Sequence, residues 1–158
     1  MGEMSDTYRA QVNGWLAILG NDPAGAGPAL DERDMAVITR DDGEQVMLRL
    51  QEELLGFYVM LFRIPEEKLS EYFKAALLFN LYPSMVGSGH LAYDEGAGTL
   101  TFCAQMPMEL MSGDLFDRVV NNVFFLAENL RDQFFTLAGV PADTGAEAET
   151  EAGAALAN

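Results

Sequence analysis

The chain has 158 residues, room for one domain around one modest hydrophobic core. It carries 25 acidic residues against 9 basic ones, a formal net charge of −16, yet 49% of it is hydrophobic. That balance argues against nucleic acid and anionic membrane surfaces, which demand clustered Lys and Arg, and it lets a protein display apolar surface without aggregating.

Ser5 and Asp6 are N-cap candidates for a first helix, in which Tyr8, Val12, Trp15, Leu16 and Leu19 recur at helical spacing on one face. Gly20-Asn21-Asp22-Pro23 ends it, and the small residues from Ala24 to Ala29 read as a flexible connection. Asp34 to Thr39 then alternates as a strand, with Met35 and Val37 on one face, and Asp41-Asp42-Gly43 is a hairpin turn. Val46, Leu48 and Leu50 alternate with polar neighbours as a half-buried second strand, and Glu52-Glu53 makes the next turn. Phe57 to Ile64 is apolar on both faces, which predicts an interior strand covered on both sides.

Pro65-Glu66-Glu67 opens a second helix that stops before Pro83. Its apolar residues, Leu69, Tyr72, Phe73, Ala76, Leu77, Leu78 and Phe79, occupy more than one face. A helix lying on its own sheet needs one stripe, so the excess predicts a second subunit. His90 to Tyr93 and Thr99 to Met106 form another hairpin. Ser112-Gly113-Asp114 caps the last helix, whose stripe is Val119, Val123, Leu126, Leu130 and Phe134, and Gly139 and Pro141 end it. The expected fold is α+β, a twisted five-stranded antiparallel sheet with three helices in the order α-β-β-β-α-β-β-α. Hairpin turns, not helical crossovers, separate most of its strands. Residues 1–138 are expected to form that single domain. Residues 139–158, rich in Ala, Gly and Glu, are expected to be a disordered acidic tail.

Catalytic groups are scarce. Cys103 is the only cysteine and His90 the only histidine, so neither a disulfide nor a His-based metal cluster can be built. A Cys–His pair would use both, but Cys103 lies mid-strand without the setting that lowers a thiol pKa. The carboxylate pairs Asp41-Asp42, Glu52-Glu53 and Glu66-Glu67 sit in turns or at a helix start. Gly87-Ser88-Gly89 runs from helix to strand, the reverse of a phosphate-binding loop. The expectation is a protein with no enzymatic activity, no cofactor and no metal, whose partner is another protein. The face of the first helix could form part of a groove for an apolar peptide. The 9 methionines suit an adaptable surface, and Met106, Met108 and Met111 cluster at the entry to the last helix. The N-terminus has no signal pattern and Leu54 to Phe62 is too short to span a bilayer, so the expected location is the cytoplasm.

In this order of elements the chain resembles the class I type III secretion chaperones, the family of the Tir chaperone. The resemblance runs from about Tyr8 to Leu137. Its carriers are Trp15-Leu16-Ala17-Ile18-Leu19-Gly20, Asp42-Gly43, Glu67-Lys68-Leu69, Leu77-Leu78-Phe79-Asn80, Gly89 to Asp94, Gly98-Thr99-Leu100, Leu115-Phe116 and Leu126 to Arg131. It implies a cytosolic homodimer that binds the N-terminal segment of a secreted effector and keeps it secretion-competent without ATP. It also implies an effector-binding surface from Tyr8, Val12, Trp15, Leu16 and Leu19 with the nearby strand residues Met35 and Val37. The dimer interface it implies uses Leu69, Phe73, Ala76, Leu77 and Phe79 with Leu91 and Tyr93. The alternative is a non-secretory regulator or adaptor such as the YbjN-like proteins. An enzyme or small-ligand carrier is a third reading.

Overall fold

Alternation between buried and open side chains lays five strands into one antiparallel sheet. The structure, a computed structural model, describes residues 2–20 and 27–138. The tail 139–158 and half of the Ala24–Ala29 connection lie outside the described residues. The elements are α1 (Gly2–Leu19), β1 (Met35–Thr39), β2 (Gln45–Gln51), β3 (Leu54–Arg63), α2 (Leu69–Leu81), α3 (Pro83–Val86), β4 (His90–Asp94), β5 (Thr99–Pro107) and α4 (Gly113–Ala138). A 3₁₀ turn, Glu66–Lys68, leads into α2. The short α3 was not foreseen: Pro83 ends α2 and then starts a new turn, as proline at a first helical position does.

The strand order is β1-β2-β3-β5-β4, so β1 and β4 are the edges. One face of the sheet (Ala36, Ile38, Val46, Leu48, Leu55, Phe57, Val59 and Phe102) is buried under the helices. Val12 and Leu16 of α1 press on it, as do Phe116, Val120, Phe124, Ala127, Leu130 and Phe134 of α4. Trp15 and Phe57 both pack against the Phe116 ring, with centroids 5.4 and 6.2 Å away. At the other end Phe134 is the hub of an aromatic cluster, 5.4 Å from Phe62, 6.1 Å from Tyr72 and 4.7 Å from Phe79. That cluster sets the rotation of α2. Ser112 caps α4 as its sequence suggests, its Oγ accepting the Leu115 N–H at 3.2 Å.

The expectation of a doubly covered third strand is corrected. β3 is interior by its neighbours, β2 and β5, but only one of its faces is roofed. The long helices share one side of the sheet, which leaves Met60 60% exposed and Tyr58 half-buried on the other. The Tyr58 ring lies over Gly56, where a Cβ would stand 2.7 Å from it, so the strand needs glycine at that point.

β3 also carries a bulge. Its register against β5 shifts between Met60 and Phe62, and the ladder breaks at Leu61. Arg131 of α4 answers both stranded carbonyls, donating from Nε to Leu61 and from Nη2 to Met60, each at 2.8 Å. The same guanidinium pairs with Glu44 at 2.7 Å. Arg40 is bonded to both Asp42 and Glu128, and its guanidinium lies 4.9 Å from the centre of the Phe124 ring.

Candidate protein-binding site

Register pairs His90 with Cys103 across β4 and β5. The pair lacks what nucleophilic chemistry needs. Burial pushes the Cys103 thiol up to about 11, away from the thiolate, and its Sγ makes a long 3.9 Å approach to the Thr101 carbonyl. Among the described residues no three His, Cys, Asp or Glu side chains are grouped to hold a metal ion. No described helix is long and apolar enough to cross a membrane.

The surface offers connected apolar concavities instead. A groove of about 450 Å³ between α1 and α4 is floored by Trp15, Leu19 and Phe116 and rimmed by Ile18, Asp114 and Asp117. Gly113 opens it, for a Cβ there would press on the indole at 3.3 Å. Leu19 also lines a second cavity of about 450 Å³, beside the β1 edge, with Pro28, Val37, Ile38 and Thr39. Val37 in turn lines a third, of about 460 Å³, on the open sheet face with Met47, Tyr58, Met60, Ala92 and Thr101. The first two share Leu19 and the last two share Val37, so the three lie side by side along one track: helix groove, strand edge, sheet face.

Only some of the residues expected to meet an effector lie on that track. Trp15 and Leu19 do, half-buried, and Val37 does with 46% exposure. Val12 and Leu16 are fully buried and hold α1 to the sheet, so the subunit itself uses them. Met35 is half-buried at the start of β1. Tyr8 stands apart, lining a cavity of about 670 Å³ with Ser5, Leu54, Pro107 and three glutamates. Met108 and Met111 are in the core, whereas Met47 and Met60 belong to the open face. Met60 and Ile18, both exposed and on this surface, were not among the expected residues. β3's two-sided apolar pattern was the available signal for the first.

The residues expected at a dimer interface divide in the same way. Ala76, Phe79 and Leu91 are buried inside the subunit, Phe79 by the aromatic cluster. Leu69, Phe73 and Tyr93 are half-buried, the last two in edge-to-face contact at 4.9 Å. Leu77 is 71% exposed and is joined on the outer side of α2 by Leu78 and Leu81 and, just past its end, by Tyr82, the last two of them outside the expected set.

A chain that closes its core on one sheet face and leaves adjoining apolar surface open elsewhere has the build of a protein-binding module. The chain belongs to the Tir chaperone protein (CesT) family, which residues 24–131 match. The resemblance to the class I type III secretion chaperones therefore holds, and the family is one of chaperones. The ExsC–ExsE complex contains a chain 24% identical to this one, matched over 76% of this chain and 90% of its own with a TM-score of 0.63. The HopA1–SchA chaperone–effector complex gives 15% identity, 82% and 97% coverage and a TM-score of 0.65. YbjN, a putative transcription regulator from E. coli, shares the fold more loosely: 13% identity, 77% and 87% coverage, TM-score 0.53. No curated protein matches the sequence.

Proposed function

We propose that this protein is a homodimeric type III secretion chaperone. In the cytoplasm it binds the N-terminal segment of a secreted effector and keeps it soluble and secretion-competent without ATP. The observation that carries the reading is the row of three adjoining, partly apolar cavities, in a member of a chaperone family whose fold recurs in chaperone–effector complexes. An extended segment adds to the β1 edge, placing apolar side chains in the helix groove and against Met47 and Met60. Main-chain bonds supply affinity and the pockets supply selectivity. Ordering such a segment costs roughly 2–5 kcal/mol, so a wrapping surface is needed and a second subunit extends it.

The outer row of α2, Leu77, Leu78, Leu81 and Tyr82, forms the two-fold contact, with Leu69, Phe73 and Tyr93 at its margin. The net charge of −16 keeps nucleic acid off and holds the exposed apolar surface in solution. Purification from the native host, with identification of the bound protein, tests the function. A secreted protein bound through its N-terminal segment, and no longer secreted when this chain is deleted, is the expected result. A stable complex with a transcription factor, and normal secretion in the deletion strain, would favour the regulator reading.

A further inference from the structure

The start of β1 is held by α1 and closed by one carboxylate. Arg9 donates from Nη2 to the carbonyls of Leu30 at 3.0 Å and Asp31 at 2.7 Å, and it pairs with Asp34. Asn13 accepts the Leu30 N–H at 2.8 Å. Asp34, at a φ of 58°, turns the chain into the strand, a left-handed conformation that Asp tolerates better than most residues. So placed, Asp31 folds back over Met35. Its N–H donates to the Met35 carbonyl at 2.8 Å, and its carboxylate accepts the N–H groups of Met35 at 3.0 Å and Arg33 at 2.8 Å. Both main-chain groups of Met35 are thereby used.

The ladder shows which groups of this edge remain. Leu50 donates to the Asp34 carbonyl at 2.9 Å and Arg40 to the Glu44 carbonyl at 2.8 Å, so the even-numbered residues of β1 bond to β2. Antiparallel pairing alternates, and Met35, Val37 and Thr39 therefore aim their N–H and C=O groups outward. Met35 is closed by Asp31. Beyond Thr39 the turn begins, with Gly43 donating to the Arg40 carbonyl at 2.9 Å. The open frame is Val37 and Thr39. A partner residue lying opposite Ile38 would point to the helix side, into the cavity of about 450 Å³ walled by Leu19 and Pro28. Its two neighbours would lie on the open face beside Val37 and Thr39.

We propose that Asp31 is a register stop: it limits strand addition to the Val37–Thr39 frame and makes the recognised unit three partner residues with a large apolar side chain at the centre. This rests on the reading that an effector segment adds to the β1 edge, and it names the feature of that segment which the edge selects.

Residue-resolved amide exchange on the isotopically labelled full chain tests it. The probe is a blocked synthetic peptide of about nine residues, Thr and Val alternating around a central Leu. In the free protein the Met35 amide should exchange at least about tenfold more slowly than those of Val37 and Thr39. Peptide at millimolar concentration should slow Val37 and Thr39 by about tenfold and leave Met35 unchanged. In Asp31→Ala, where the residue-31 N–H still holds the Met35 carbonyl, the free Met35 amide loses its carboxylate acceptor and should exchange as fast as Val37. Asp31→Asn keeps an acceptor oxygen and should behave as the native protein. Equal slowing of Met35 and Val37 by peptide in the native protein overturns the proposal, as does a Met35 amide still slow in a folded Asp31→Ala variant. Slowing of no amide also overturns it, by removing the edge as an acceptor. Purification of the effector from the native host separately decides whether the protein is a secretion chaperone.

Discussion

Replacing both Leu77 and Leu81 by Glu should convert the protein from dimer to monomer without unfolding it. Full burial of a leucine is worth about 1.5–3 kcal/mol, so the 71% and 69% of these side chains left exposed represent about 1–2 kcal/mol each. A two-fold interface counts each twice, giving about 4–8 kcal/mol per dimer from four side chains. Losing even the lower figure raises the dissociation constant about a thousandfold. The four carboxylates brought together would add repulsion. Light scattering across the micromolar range reads the mass, and far-UV dichroism should be unchanged because neither side chain enters the core. Phe79→Ala is the contrasting variant. Its ring packs 4.7 Å from Phe134, so its loss should cost about 3–5 kcal/mol of stability and leave the outer row of α2 intact. A double Glu variant that stays dimeric would refute the assignment of this row, and a native protein that is monomeric at micromolar concentration would refute the dimer itself.

Val12→Asp should lower stability by about 3 kcal/mol or more in urea titrations, because Val12 has 0% exposure and the new carboxylate would have no solvent. Ile18→Glu, at a residue 78% exposed, should keep the native urea midpoint yet weaken binding of the copurified effector about tenfold by calorimetry. Arg131→Met strands the carbonyls of Met60 and Leu61 at the bulge and should cost about 2–4 kcal/mol, seen as a lower urea midpoint at unchanged slope. Burial raises the Cys103 thiol from 9.0 to about 11, so a thiol reagent should react slowly with the native protein and rapidly in urea. Because the unfolded thiol ionises first, Cys103 should also withdraw stability as pH rises from 9.0 toward about 11, a loss that Cys103→Ala abolishes in melting curves.

Local order was legible in the sequence wherever a turn or a period is carried by adjacent residues. Asp42-Gly43 and Glu52-Glu53 set their hairpins, and Ser112 caps α4. Rotation was not legible. Leu78 and Phe79 are consecutive and equally apolar, and their separation into outside and inside depends on Phe62 and Phe134, which arrive from other elements. The same limit applies to Val12, read as available but closed by α4 and the sheet, and to β3. A strand apolar on both faces leads to the expectation that both are covered, and here its own chain covers only one.

The β1–β2 hairpin is riveted at both ends. At its root Arg9 holds Asp34, and at its tip Arg40 ties Asp42 to Glu128 while Arg131 ties Glu44 to the bulge. An acidic chain has few cations, and three of its arginines are spent here. A beam fixed at both ends bends least. An incoming strand would therefore meet a template already straight, and the entropic cost of joining would fall mainly on the visitor. The same rivets are ionic and partly open to solvent, so concentrated salt, which relieves the repulsion across the rest of the surface, should loosen this hairpin first.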